Sequence, residues 1–119
     1  MAIEGLFYIH LQVSDLARSK AFYGEALGWR LETDEPGVVA GFWFGSGYVV
    51  LSQESRPVDQ RRYAGGSEIA VRVDDVEAQH ERLTKSDVAP TPIEVRPWGE
   101  RNFSFRDPDG YPWLYGQPS

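Results

Sequence analysis

His10 and His80 are the chain's two imidazoles, and cysteine is absent. Disulfides, thiolate zinc sites, iron–sulfur clusters and a cysteine nucleophile are thereby removed together, and any metal site must lean on carboxylates. His10 stands in Tyr8-Ile9-His10-Leu11-Gln12-Val13, where it could act as a base near neutral pH or be a structural histidine hydrogen-bonded to Tyr8 or Gln12. Glu68 falls where Tyr8 does when the chain is compared with itself shifted by 60 residues. A carboxylate there could meet a cationic ligand, serve as a general base, or form an internal ion pair with Arg72 or Arg101. His80, among Gln79, Glu81 and Arg82, reads as a solvated surface residue. Asp107-Pro108-Asp109-Gly110 holds two carboxylates but lacks the further ligands of a calcium loop, and it reads as a turn. Ser14, Ser19 and Ser104 have no nucleophile-elbow glycines around them, and Gly45-Ser46-Gly47 has neither the lysine nor the spacing of a phosphate loop.

The other chemistry in the chain is aromatic. Its 4 Trp, 6 Tyr and 6 Phe can build a core or a stacking surface. Phe22, Tyr23, Phe103, Phe105, Trp113 and Tyr115 sit at helix-stripe or alternate strand positions and belong to the core. In Phe42-Trp43-Phe44, successive strand residues alternate faces, so either Trp43 or the pair Phe42 and Phe44 points toward a ligand. Trp98 lies in the turn Pro97-Trp98-Gly99, where no core periodicity requires it; it reads as a stacking lid or a plug in a dimer interface. Trp29, Tyr48 and Tyr63 are secondary stacking candidates.

The elements that position these residues follow from an internal repeat. Tyr8–Leu16 falls on Glu68–Val76 at the 60-residue shift, and in both copies apolar residues alternate (Ile9, Leu11, Val13; Ile69, Val71, Val73) as in a strand with one buried face. Ser14-Asp15 and Asp74-Asp75 can then cap helices expected over about 16–27 and 76–84, the first ended by Gly28. Strands follow over 29–33, 38–44 and 48–53 in the first half, and over 91–96, 102–106 and 111–115 in the second. The expected fold is α+β: two tandem βαβββ modules, about 1–53 and 67–119 around a linker at 54–66. Curved mixed sheets would form a concave cup with the helices outside.

With 119 residues, the chain fits a single domain of two such modules. Its 12 basic against 18 acidic residues give a net charge of −6, which disfavours binding to nucleic acid. No apolar run approaches a membrane span and no signal segment is evident, so a cytoplasmic protein without a membrane partner is expected.

Val13-Ser14-Asp15-Leu16-Ala17-Arg18-Ser19, Phe22-Tyr23 and Leu27-Gly28-Trp29 resemble the opening of the vicinal oxygen chelate superfamily, which includes glyoxalase I, bleomycin resistance proteins and extradiol dioxygenases. Pro97-Trp98-Gly99-Glu100-Arg101, Phe103 and Asp107-Pro108-Asp109-Gly110-Tyr111 resemble its closing segment. In metal-dependent members the resemblance places the ligands on the first and fourth strands of each module, which here are Tyr8, Leu51, Glu68 and Leu114. Two leucines donate no lone pair, and a shifted site would need His10, Gln53 and Glu68. What the resemblance implies is the metal-free, bleomycin-resistance-like branch: a homodimer that sequesters a small aromatic or cationic molecule and needs no cofactor. The expected contacts are Tyr8, His10, Phe42, Trp43, Glu68, Trp98, Arg101 and Asn102. The rival is an enzyme of the same fold, a lyase, isomerase or dioxygenase with a displaced or absent metal.

Overall fold

The structure, a computed structural model, describes residues 4, 6–61 and 68–119. Tyr63 and the end of the expected linker lie outside the described residues. The chain divides into two compact units, Met1–Gly65 and Gly66–Ser119.

In the first unit, β1 (Ile9–Val13) leads into α1 (Leu16–Ala21), a π-helical turn (Phe22–Ala26), β2 (Arg30–Glu35), β3 (Val39–Phe44) and β4 (Gly47–Gln53). The sheet order is β1-β4-β3-β2, with β1 parallel to β4 and the other pairs antiparallel. The second unit repeats the plan: β5 (Ile69–Arg72), α2 (Val76–Lys85), β6 (Glu94–Arg96), β7 (Glu100–Arg106) and β8 (Pro112–Pro118) in the order β5-β8-β7-β6. The fold is α+β, two βαβββ modules each with a mixed four-stranded sheet.

The helices begin where the capping pairs place them. Asp15 Oδ1 accepts from Arg18 N at 3.1 Å, and Asp75 Oδ1 accepts from Ala78 N at 3.0 Å. A second acceptor arrives from the far end of each module. Leu16 N donates to Gln53 Oε1 at 2.8 Å and Val76 N to Gln117 Oε1 at 2.9 Å, so the last strand of a module completes the start of its helix. The first helix widens at its end, where Leu27 N reaches back five residues to Phe22 O, and Gly28 closes it at φ +75°.

Each sheet buries one face under its helix. In module one Leu11, Val13, Val49, Leu51 and Phe42 meet Leu16 and Tyr23, all buried. In module two Phe103, Phe105, Trp113 and Tyr115 meet Val76 and Leu83. His80, expected as a solvated surface residue, is half-buried at the margin of this layer. Its ring lies edge-on to Phe103 at 5.0 Å and Nε2 donates to Thr91 O at 3.0 Å, because a residue four after the buried Val76 and three before the buried Leu83 turns partly inward on a helix. The start of the expected linker is likewise structured: Arg61, 5% exposed, donates to Gln12 O and Arg56 O at 2.8 Å each and to Ser14 Oγ at 2.5 Å. Asp107-Pro108-Asp109-Gly110 is the turn expected, with Asp107 Oδ1 accepting from Asp109 N and Tyr111 N.

Candidate functional site

The open face of each sheet, away from its helix, is defined by strand register. In module one His10 lies opposite Val50, Gly41 opposite Val50, and Trp43 opposite Tyr48. His10, Gly41, Trp43, Tyr48, Val50 and Ser52 therefore share that face, whereas Phe42 points to the helix side and packs on Tyr23 at 6.0 Å between ring centroids. The alternative left open by Phe42-Trp43-Phe44 resolves in favour of Trp43.

His10 Nε2 and Ser52 Oγ, 2.7 Å apart, share a hydrogen bond on this face. Trp43 meets Tyr48 edge-on at 4.6 Å, and the Arg30 guanidinium stands 5.8 Å from the Trp43 ring centre. Trp43 Nε1 is buried and finds no acceptor among the described residues. Tyr48 Oη and Thr33 Oγ1 share a hydrogen bond of 2.8 Å, which holds the Tyr48 ring over Gly41. Tyr8, 47% exposed, precedes β1 and pairs edge-on with Phe7.

In module two, Ala70 lies opposite Leu114, Arg72 and Asn102 both lie opposite Gly116, and Glu100 lies opposite Pro118. These residues share the open face. Arg101 alternates to the other side and pairs with Glu77 of α2. Glu68 is exposed just ahead of β5. Asn102, 1% exposed, accepts from Arg96 Nε at 3.0 Å, and Arg96 Nη1 also reaches Glu94 Oε2 at 2.8 Å.

That fixed guanidinium lies 5.8 Å from the Trp98 ring centre, while Trp98 Nε1 donates to Glu100 Oε2 at 2.8 Å. Trp98, although 68% exposed, is thus held at both its face and its edge. Beside it runs a groove of about 340 Å³, lined by Ala70, Arg72, Trp98, Glu100, Gly116 and Pro118 among others. Its volume lies at the lower end of small-molecule sites, roughly 300–1,000 Å³. Sequence names Arg72 only as an ion-pair partner for Glu68 and Glu100 only within the closing motif, and neither Arg72 nor Arg101 pairs with Glu68 among the described residues. The signal that finds Glu100 in the groove is the start of β7, two residues before the strand expected from sequence.

Residues 5–115 match the glyoxalase/bleomycin resistance protein/dioxygenase superfamily. The chain belongs to that superfamily. The chain is 30% identical to the uncharacterized protein YaeR of Escherichia coli (strain K12), with 98% of this chain and 99% of that protein aligned. An antibiotic binding protein of Streptomyces sp. CB03234, TnmS3, superposes with a TM-score of 0.82 and 31% identity, over 100% of this chain and 99% of that one. A lactoylglutathione lyase from Agrobacterium tumefaciens shares the fold at a TM-score of 0.80 and 19% identity, over 98% and 96% of the two chains. Superfamily membership alone therefore spans binders and enzymes.

The residues present do not fit the metal that this superfamily implies. Leu51 is not on the open face as expected from sequence: it is fully buried opposite Leu11, and the register puts Val50 there instead. Gln53 is committed to the helix start, accepting from Leu16 N and donating to Ser14 O, so it does not complete a shifted set with His10. Tyr8, Val50, Glu68 and Leu114 offer a single carboxylate, too few hard donors for a divalent ion. Among the described residues no group of three or more His, Asp or Glu stands close enough to hold one.

Proposed function

We propose that this member of the superfamily is a metal-independent small-molecule-binding protein that sequesters an aromatic or cationic compound, a resistance-like role. The observation that carries the reading is the module-two groove beside Trp98, whose ring is exposed yet fixed by Arg96 and Glu100. A ring already held in place gives a ligand a stacking partner without a further ordering cost. Stacking adds on the order of 0.5–1.5 kcal/mol per ring pair beyond area burial. The solved relative at 31% identity, an antibiotic binding protein, supports the same reading. The net charge of −6 favours cationic compounds at long range, an attraction that weakens with salt.

A homodimer in the cytoplasm is part of the proposal. Leu6 and Phe7, 79% and 89% exposed, precede β1 at an edge of its sheet and would gain cover from a second copy. No helix among the described residues is long and apolar enough to cross a membrane.

A second reading rests on the His10–Ser52 hydrogen bond, which places a base and a hydroxyl together on the open face of module one. Titration of the purified protein with a panel of planar aromatic antibiotics, followed by calorimetry and by chromatography of the recovered compound, separates the two. Saturable binding with unchanged compound supports sequestration. Conversion of the compound, abolished by His10→Ala with binding retained, supports the enzyme and overturns sequestration.

A further inference from the structure

The groove of module two carries two opposite charges that nothing among the described residues pairs. Glu100 Oε2 accepts from the Trp98 indole N–H, and its other oxygen, Oε1, stands over Gly116, where any side chain would collide with it. No cation meets Glu100 among the described residues; the neighbouring arginines are taken, Arg101 by Glu77 and Arg96 by Glu94 and Asn102. Arg72, on the strand across Gly116, makes no hydrogen bond or ion pair among the described residues, and it forms none with Glu100. One wall of the groove is therefore Trp98 with a carboxylate, the other is Ala70 with a guanidinium, and Gly116 contributes bare backbone between them.

We propose that this groove selects planar aromatic zwitterions: a cationic donor such as an amidinium or ammonium at Glu100, an anionic acceptor such as a carboxylate or phenolate at Arg72, and a ring against Trp98. This rests on the small-molecule-binding reading and names the class of molecule that the site takes. A purely cationic ligand satisfies Glu100 but brings its charge beside Arg72, and a purely anionic one meets the converse penalty. A zwitterion of matching polarity gains both contacts and suffers neither repulsion. The absence of a side chain at Gly116 leaves the room in which Glu100 Oε1 rests against the strand, on the side facing Arg72.

Three matched probes test this: 4-amidinobenzoate, benzamidine and benzoate. Binding is read by NMR from the Trp98 Nε1–H resonance, assigned by its loss in Trp98→Phe, with thermal melts to confirm that each variant is folded. The zwitterion is expected to bind about tenfold more tightly than either half, the scale of one hydrogen bond to a charged group in an open site. Glu100→Gln should lower the zwitterion to the affinity of benzoate, and Arg72→Gln should lower it to that of benzamidine. Equal affinities for the three probes, or a preference that survives both substitutions, overturn the assignment while leaving small-molecule binding standing. A Trp98 resonance unmoved by every probe also overturns it. Sequestration itself then stands or falls on the antibiotic titration, which does not depend on where the compound sits.

Discussion

Substituting Gly116 by alanine tests whether the groove is built as described. A Cβ at this position falls on Glu100 Oε1 and lies 3.0 Å from its Cδ and 3.4 Å from Leu114 Cδ2. Gly116 does not have a positive φ, so alanine brings no backbone strain and recovers some of the 0.5–1 kcal/mol that glycine costs inside a strand. The atom that must move is the end of a flexible side chain. Turning Glu100 aside gives up the bond from Trp98 Nε1, worth about 1 kcal/mol in a half-exposed setting. The two effects nearly cancel, and the melting temperature should stay within about 5 °C of wild type. Function should not stay: the Trp98 indole resonance should move toward that of a solvent-bonded indole, and affinity for 4-amidinobenzoate should fall about tenfold or more, the loss of one charge contact. The matched control is Gly41→Ala in module one. There the obstructing group is the Tyr48 ring, at 2.6 Å from Cζ and 2.9 Å from Cε2, pinned by Thr33 and Trp43. Overpacking against a ring that cannot swing away costs about 1–3 kcal/mol. Unchanged Trp98 resonance and probe affinity in Gly116→Ala, or a larger loss of stability there than in Gly41→Ala, would refute the reasoning.

Other perturbations probe the frame around the site. Phe42→Ala empties a fully buried position against Tyr23 and should lower unfolding free energy by about 3–5 kcal/mol in denaturant titrations; a loss below about 1 kcal/mol would place Phe42 on the open face. Gln117→Leu leaves Val76 N without its acceptor and should cost about 1 kcal/mol, read as a lower thermal midpoint, with Gln117→Glu restoring it. The Arg56 side chain and backbone N–H both donate to Glu54 and hold its carboxyl below the ordinary value. Stability from this pair is complete above the unfolded carboxylate range and is lost as pH falls through the lowered value. The difference in thermal midpoint between wild type and Glu54→Gln should accordingly shrink on acidification, and one that widens contradicts the assignment.

Much of the frame is visible in the residues. The alternation of Ile9, Leu11 and Val13 and of their counterparts at 69, 71 and 73, the caps Asp15 and Asp75, and the stop at Gly28 all act locally, so each speaks for itself in the chain. What escaped depends on partners distant in sequence. Leu51 and Val50 exchange faces with a one-residue shift in counting, and only the pairing of β4 with β1 decides between them. Gln53 and Gln117 look like ordinary polar strand ends until the helix they cap is placed beside them. Glu100 was hidden by its turn-like neighbours Pro97 and Gly99; once β7 begins at Glu100, alternation sends it to the groove with Asn102 and sends Arg101 to Glu77. Arg61 sits in a run of polar residues and has no periodicity to mark it, yet it is among the most buried charges described.

The glutamine caps also order events in time. Leu16 and Gln53 are 37 residues apart, and Val76 and Gln117 are 41 apart. A nascent chain that has made only the first strand and helix of a module leaves a helix start open and the apolar side of the strand uncovered. The parallel strand that ends the module supplies both remedies at once, closing a loop of some forty residues in a single step. Each half consequently holds within itself the acceptor that its own helix start requires. A copy ending before its last strand gains little, whereas one that includes it carries everything its own helix requires, which is the condition under which duplicating such a segment yields a second module ready to fold.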